Sequence, residues 1–455
     1  MSRQTRNRGS IRLWVAGCAL ACAGSAAGAT LGEVAAGVKI DPGQISVSGI
    51  SSGGFMAHQF HVAHSDHVMG AGIVAGGPYD CAEGTIMTAL SRCMKLAFNE
   101  CKKLGGSDSA CGKVDLAPKT AAASTAMAQT SFAEAQTQEQ AKTIDRLANL
   151  KDDRVYLFIG TFDSVVPNGV MDALFHFYAD PDKAGLAPGN IQYNETFPAP
   201  HTMVRDDFDK PAGVAVGDCP ATRSTAFEND TFIDDCAAVA RKQQAQSRCV
   251  CPTSPAGTPG ATAPCPPLDK QTACRDLNDV DLAGAILTRL YGGDALKGGR
   301  AAVAEGQVET FDQRQVFSRF SSTPRTDLQN ASMAKEGYIF IPETCRKGKA
   351  CRLHVAFHGC LQGGQTDRRS GHSGNLFSKY AGYNEWAQAN DIIVLYPQVE
   401  PRSATTPQNP KGCWDWWGQN YTHNGFHTQR GPQVKAVAQM VNILASNQQL
   451  LTIPE

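Results

Sequence analysis

The sequence predicts an α/β fold with a mostly parallel sheet and helices on both faces. Three observations carry this. Short, continuous apolar runs such as Arg154-Val155-Tyr156-Leu157-Phe158-Ile159 have the length and branching of strands buried on both sides. Segments of helical patterning alternate with them. The hydrophobic content of 42% against 19% charged residues excludes a disordered chain. At 455 residues the chain suits one large domain or two average ones. The net charge of -1 offers no excess with which to hold nucleic acid or an anionic membrane.

The N-terminus reads as a signal peptide over 1–29. Arg3, Arg6, Arg8 and Arg12 precede an Ala-rich apolar stretch, and Ala27-Gly28-Ala29 matches a cleavage site. The stretch is too short for an anchor, which needs about 20 apolar residues. A lipoprotein box at Val15-Ala16-Gly17-Cys18 leaves almost no apolar region after Arg12. Cleavage removes two of the 16 cysteines, Cys18 and Cys22, and leaves 14, an even number that suits disulfides in an exported protein. Secretion, to the periplasm or beyond, is therefore expected, without membrane association.

The mature chain, 30–455, is expected to form a single domain. Its opening strand spans 44–48; a glycine-rich turn and a helix over about 54–64 follow. A small-residue strand near 69–75 leads into an irregular, cysteine-studded stretch over 81–111. Residues 118–140 read as a solvated helix. Strands are expected over 154–159 and 191–197. Between Cys236 and Cys274 the composition shifts to Cys, Pro, Gly and Thr, which marks a disulfide-stapled surface insertion over about 237–277. A helix over 282–291 stops at Gly292-Gly293. Two further strands, 353–357 and 392–396, enclose a helix near 376–390, and the last helix spans 433–445.

Gly49-Ile50-Ser51-Ser52-Gly53 is a G-x-S-x-G box between a strand and a helix. The bare pattern is weak, but in that context it describes a sharp elbow that exposes a serine Oγ. Serine needs a base, and the base needs an acid to fix its tautomer. Asp163 follows the strand at 154–159, and His201 follows the next one. Ser51, Asp163 and His201, each in a loop after a strand and in that order, match the α/β-hydrolase arrangement. In the ordinary fold a strand ending in His-Gly precedes the nucleophile and supplies an oxyanion N–H. Here that strand lies far downstream, at Leu353-His354-Val355-Ala356-Phe357-His358-Gly359-Cys360. The simplest account is a circularly permuted α/β-hydrolase fold, in which the strands at 353–357 and 392–396 have moved to the C-terminal side. It requires termini that lie close together.

At this point the residues resemble a family: extracellular poly(3-hydroxybutyrate) depolymerases with a permuted catalytic domain and an N-terminal lipase box. The matching stretches are GISSGGFMA at 49–57, GTFDSVVP at 160–167, HTM at 201–203, FDQ at 311–313, HGC at 358–360 and GCWDWWG at 412–418. The resemblance implies a Ser51–Asp163–His201 triad and an oxyanion hole made by the amides of Ser52 and Cys360. It implies a secreted serine esterase acting on a short-chain polyester or its oligomers, with no cofactor, as a monomer. The 237–277 insertion is longer than that family usually carries. The expected catalytic domain runs to the end of the chain, without the linker and separate polymer-binding domain of many members of that family, so tight binding to crystalline polymer is not expected.

Other residues admit more than one reading. Of Trp414, Trp416 and Trp417, at least one is expected to line the acyl-binding cleft; core packing is the alternative. Cys345 and Cys351 are close enough in sequence to pair locally. That leaves Cys360 and Cys413 for each other, and this bond would tie the oxyanion loop to the tryptophan loop. Cys249, Cys251, Cys265 and Cys274 lack the C-x-x-C spacing of a zinc ribbon. His58, His61, His64 and His67 read as a packed or solvated helix surface, so no metal is assigned. Two other functions remain open: a feruloyl or acetyl-xylan type esterase, and a non-catalytic binding protein on a hydrolase scaffold.

Overall fold

In a computed structural model, residues 28–455 are described except for 96–101, 103–105, 198, 206–232, 236–279, 297, 305, 320–321, 364–374, 403–408, 419–424, 447 and 455. Residues 1–27 of the signal peptide expected over 1–29, and the Cys/Pro-rich insertion expected over about 237–277, therefore lie outside the described residues.

Among the described residues ten strands form: β1 Lys39–Ile50, β2 Val68–Val74, β3 Arg154–Phe158, β4 Ile191–Asn194, β5 Met203–Arg205, β6 Ile233–Asp235, β7 Val308–Asp312, β8 Glu336–Phe340, β9 Ala350–Phe357 and β10 Ile392–Tyr396. Eight of them make one sheet in the order β4-β3-β2-β1-β9-β10-β8-β7, and β5 and β6 pair separately. The six strands from β4 to β10 along that order run parallel, whereas β8 is antiparallel to both β10 and β7. The apolar runs Ile392–Tyr396 and Val155–Phe158 are wholly buried, as strands covered on both faces must be.

One face of the sheet carries α1 Ser52–Ala63, α2 Ala121–Gln140, α3 Asn168–Ala179 and, later in the chain, α6 Pro432–Leu444. The other carries α4 Leu282–Tyr291 and α5 Tyr383–Asn390. Every residue of α1 is buried, so this helix is the centre of the first layer. Its histidines are core groups: His58 and His61 each bond the Tyr178 hydroxyl at 2.8 Å, and His61 reaches Asp153 at 2.9 Å. On the second face, His354 of β9 lies between Ser46 and Ser48 of β1 at 2.8 and 2.7 Å, backed by the hydroxyls of Tyr291 and Tyr383.

Several expectations are corrected. The helix over 118–140 is half core, because Met127, Ala128, Phe132 and Ala135 form a buried stripe against α3. The helix near 376–390 is two pieces, Leu376–Tyr380 and Tyr383–Asn390, separated at Gly382 with φ +96°. Strands β7 and β8 were not expected. Gln313, directly after β7, explains what the FDQ stretch does. Its amide donates to the carbonyls of Ala334 and Gln398 at 2.7 and 2.9 Å and accepts from Gln398 N–H at 3.0 Å, clamping the antiparallel edge to the end of β10.

Candidate active site

Ser51 stands at the C-terminal end of the central strand, where α/β sheets place their ligands. Its backbone sits at φ +57°, ψ −126°, a region that costs a non-glycine residue about 1–3 kcal/mol. The elbow is held from outside, by Ser51 N–H donating to Val74 O at 2.9 Å, and from within by Phe55 N–H donating to Ser51 O at 3.0 Å. The flanking glycines are steric necessities. A Cβ on Gly49 would lie 2.1 Å from Gly53 O, and one on Gly53 would lie 2.3 and 2.4 Å from the carbonyls of Phe357 and His358.

Those last contacts bring the end of β9 against the elbow. His358 N–H at Nδ1 donates to Gly359 O at 2.7 Å, and its Nε2 accepts from Val399 N–H at 3.3 Å. Burial lowers the His358 pKa to about 4, so the ring stays neutral and makes both bonds. Gly359 N–H donates to Gln362 Oε1 at 2.6 Å, and Leu361 N–H donates to Lys411 O at 2.8 Å. Ser52 N–H, in the first turn of α1, lacks an intrahelical acceptor by position. Neither it nor Cys360 N–H donates to another group among the described residues.

Asp163 and His201 are brought together by a close approach of their loops. Thr161 N–H donates to Phe197 O at 2.9 Å, and Phe162 N–H donates to Ala199 O at 3.1 Å. His201 Nδ1 then lies 2.7 Å from Asp163 Oδ2. The other carboxylate oxygen, Oδ1, accepts from Val165 and Val166 N–H at 2.8 and 2.9 Å, which fixes its plane. Asp163 is 2% exposed and His201 and Ser51 are 9% exposed each, so the set is nearly closed to water. Sequence reasoning missed Lys95. Its ammonium donates to Asp163 O at 2.6 Å, and burial lowers its pKa while the Asp163 charge opposes that shift. No spacing in the chain singles this lysine out.

Disulfides join Cys345 to Cys351, Cys360 to Cys413, and Cys81 to Cys93. The Cys360–Cys413 bond fastens the loop after β9 to the tryptophan loop. That loop is also tied to the elbow, because Trp414 N–H donates to Ser52 Oγ at 3.2 Å and Gln59 Nε2 donates to Asp415 O at 3.0 Å. All three indoles are buried. Trp414 meets Phe357 edge-on at 5.0 Å, and Trp416 stacks on Phe55 of α1 at 4.1 Å.

No protein-family model matches the chain. A poly(3-hydroxybutyrate) depolymerase from Delftia acidovorans is 32% identical over 453 residues, covering 98% of this chain and 68% of that protein. A polyhydroxybutyrate depolymerase from Talaromyces funiculosus is 28% identical over 419 residues, 90% of this chain and 91% of its own. Two solved structures are similar, each with a TM-score of 0.59 over 90% of this chain and 98% of theirs. One, 27% identical, is a PHB depolymerase from Penicillium funiculosum. The other, 26% identical, is a serine-to-alanine variant of a PHB depolymerase complexed with an R3HB trimer.

Proposed function

This chain belongs to the poly(3-hydroxybutyrate) depolymerase family, and on that premise we propose that it hydrolyses poly(3-hydroxybutyrate) and its oligomers through an acyl-enzyme on Ser51. The observation that carries the mechanism is the 2.7 Å His201–Asp163 pair in a site whose serine occupies a strained elbow. Asp163 accepts a hydrogen bond from His201 Nδ1–H and keeps the proton on that nitrogen, which leaves Nε2 to accept the Ser51 proton as Oγ attacks the ester carbonyl. The amides of Ser52 and Cys360 receive the oxyanion. The alcohol leaves with the proton from His201; water, activated by the same imidazole, then releases the hydroxyacid.

Trp416, stacked on Phe55, and Trp417, edge-on to Trp416, are proposed to back the acyl pocket, while Trp414 stabilises the oxyanion loop from behind. A carbohydrate esterase would use the same triad; the bound R3HB trimer in a solved relative favours the polyester. Export is proposed from the N-terminal signal pattern and the disulfides, and among the described residues no helix is long and apolar enough to cross a membrane. A monomer is proposed as well.

The experiment is Ser51→Ala, read by clearing of a poly(3-hydroxybutyrate) suspension and by fluorophosphonate labelling. Both should vanish while the circular dichroism spectrum stays unchanged. More than a few per cent of residual clearing would overturn Ser51 as nucleophile. Release of ferulate, or of acetate from xylan, at rates above polymer hydrolysis would overturn the substrate.

A further inference from the structure

We propose that Asp80, Glu134 and His427 bind a divalent transition-metal cation, with Zn²⁺ the best match, at a site separate from the triad. The three donors come from separate parts of the chain: the turn after β2, the middle of α2, and the loop leading into α6. One ligand atom from each lies within 4.8 Å of the others. A tetrahedral zinc with bonds of about 2.0–2.1 Å sets its donors about 3.4 Å apart, so small rotamer changes would close the shell. His427 Nε2 and Glu134 Oε1 are already at 3.4 Å.

The independent observation is unmet bonding capacity. His427 is 3% exposed, yet among the described residues neither ring nitrogen has a hydrogen-bond partner. Asp80 Oδ1 is likewise buried and without a partner among the described residues. Buried polar atoms in native proteins are almost always satisfied, so an unsatisfied imidazole beside an unsatisfied Asp80 oxygen and the Glu134 carboxylate calls for a missing group. The surroundings fix the donors as a metal site's outer shell does. Tyr79 OH donates to His427 O at 3.0 Å, and its ring meets the imidazole edge-on at 4.8 Å. Gln138 Nε2 donates to Glu134 Oε1 at 2.6 Å. Asp80 is held at φ +48° beside the Cys81–Cys93 bond.

Mixed imidazole and carboxylate donors suit Zn²⁺ or Mn²⁺; Ca²⁺ would want six to eight oxygens. A cavity of about 710 Å³, lined by these three residues with Glu83, Thr130 and Thr137, leaves room for a water as the remaining ligand. Glu83 itself is engaged by Arg92. The cation would pin the loop before α6 to α2 and to the turn after β2, and so would act on stability rather than on the ester.

The test uses the purified full-length enzyme, stripped with a chelator and titrated calorimetrically with ZnCl₂, MnCl₂ and CaCl₂. One equivalent of Zn²⁺ should bind and raise Tm by several degrees. Glu134→Gln, on a partly exposed helix position, should bind at least tenfold more weakly and lose the Tm shift while keeping its metal-free Tm. Asp80→Asn should behave alike. Absence of stoichiometric Zn²⁺ uptake by the stripped enzyme overturns the proposal and leaves a plain His–Glu pair. Equal Zn²⁺ affinity in Glu134→Gln, or Ca²⁺ binding tighter than Zn²⁺, overturns it too. Activity on soluble oligomers is not the readout, so this result is distinguishable from failure of the esterase reading.

Discussion

At Gly160 a single hydrogen decides whether the acid and the base meet. A Cβ there would lie 1.9 Å from Ala199 O and 2.5 Å from its carbon, inside the pair of strand-like bonds that join the Asp163 and His201 loops. Gly160→Ala should therefore push the loops apart, and a displacement near 1 Å costs about 10²-fold in rate. Gly189→Ala, where nothing lies within 4 Å, is the control. Equal kcat for the two variants would show that the approach does not position the pair. A second residue-scale effect concerns pH. His64 is fully buried beside Phe60, both ring nitrogens lack hydrogen-bond partners among the described residues, and burial lowers its pKa to about 3. The folded state holds it neutral while the unfolded chain binds a proton below about 6.5. Stability is thus fully present above 6.5 and is lost as pH falls towards 3, by about 2 kcal/mol at pH 5 from this group alone. His64→Leu should flatten the fall in unfolding free energy between pH 7.5 and 5 by that amount in urea melts. An unchanged slope refutes the assignment. In the sequence Gly160 only opens the stretch at 160–167 and His64 only joins a row of helix-surface histidines; the close approach of one and the burial of the other depend on what faces them across the fold.

Among elements, the legible ones were those whose own composition decides their state. Strands β2, β3 and β10 are continuous apolar runs, and α4 is bounded by its Asp281 cap and by Gly292, so their limits could be read closely. Strand β7 reads Val-Glu-Thr-Phe-Asp, with its first three residues half-buried or exposed, and only pairing with β8 makes it a strand. The break at Gly382 was equally silent, since the need for a glycine there, at φ +96° with a Cβ position only 3.1 Å from Ala283, is set by the neighbouring element. For the loops, cysteine arithmetic was informative, because a covalent tie needs only two residues to be named. The Cys360–Cys413 bond holds the loop whose amide is proposed for the oxyanion hole. Cys413→Ser leaves that amide in place but loosens it, and a donor acts only within a narrow range of position. It should lower kcat about tenfold or more while shifting Tm by only a few degrees, as the loop is also held by Leu361 N–H on Lys411 O and by Asn409 on the backbone of Cys413. A large Tm loss with unchanged kcat would assign the bond to stability alone.

For the whole molecule, the order of strands in space matters more than their order in the chain. Strand β9, from the C-terminal third, lies directly beside β1, and the loops after both build the site. This is the arrangement that a rotation of chain order leaves intact, and it supports the permutation we propose. The geometry of the ends allows it. The turn Leu31–Val34 packs on α6, where a Cβ on Gly32 would lie 3.8 Å from Ile443. Leu451 is bound to Asn442 of that helix by two hydrogen bonds of 2.9 and 2.8 Å. Residues 30 and 451 thus flank one end of α6, and a Gly/Ser linker of about eight residues, at up to ~3.5 Å each, spans them easily. Gly306 is exposed, has nothing within 4 Å of its Cβ position, and stands just before β7. A chain that begins at Gly306, runs through β10 and α6, crosses the linker and continues from residue 30 would restore the ordinary order of a nucleophile strand preceded by its oxyanion strand. Since each strand keeps its neighbours, that variant should fold with the native circular dichroism spectrum and retain polymer hydrolysis within about tenfold. Loop-closure costs change only slowly with length, so the linker itself should not decide the outcome. An insoluble or unfolded product, obtained with two linker lengths, would mean that the present chain order is itself needed to reach the fold.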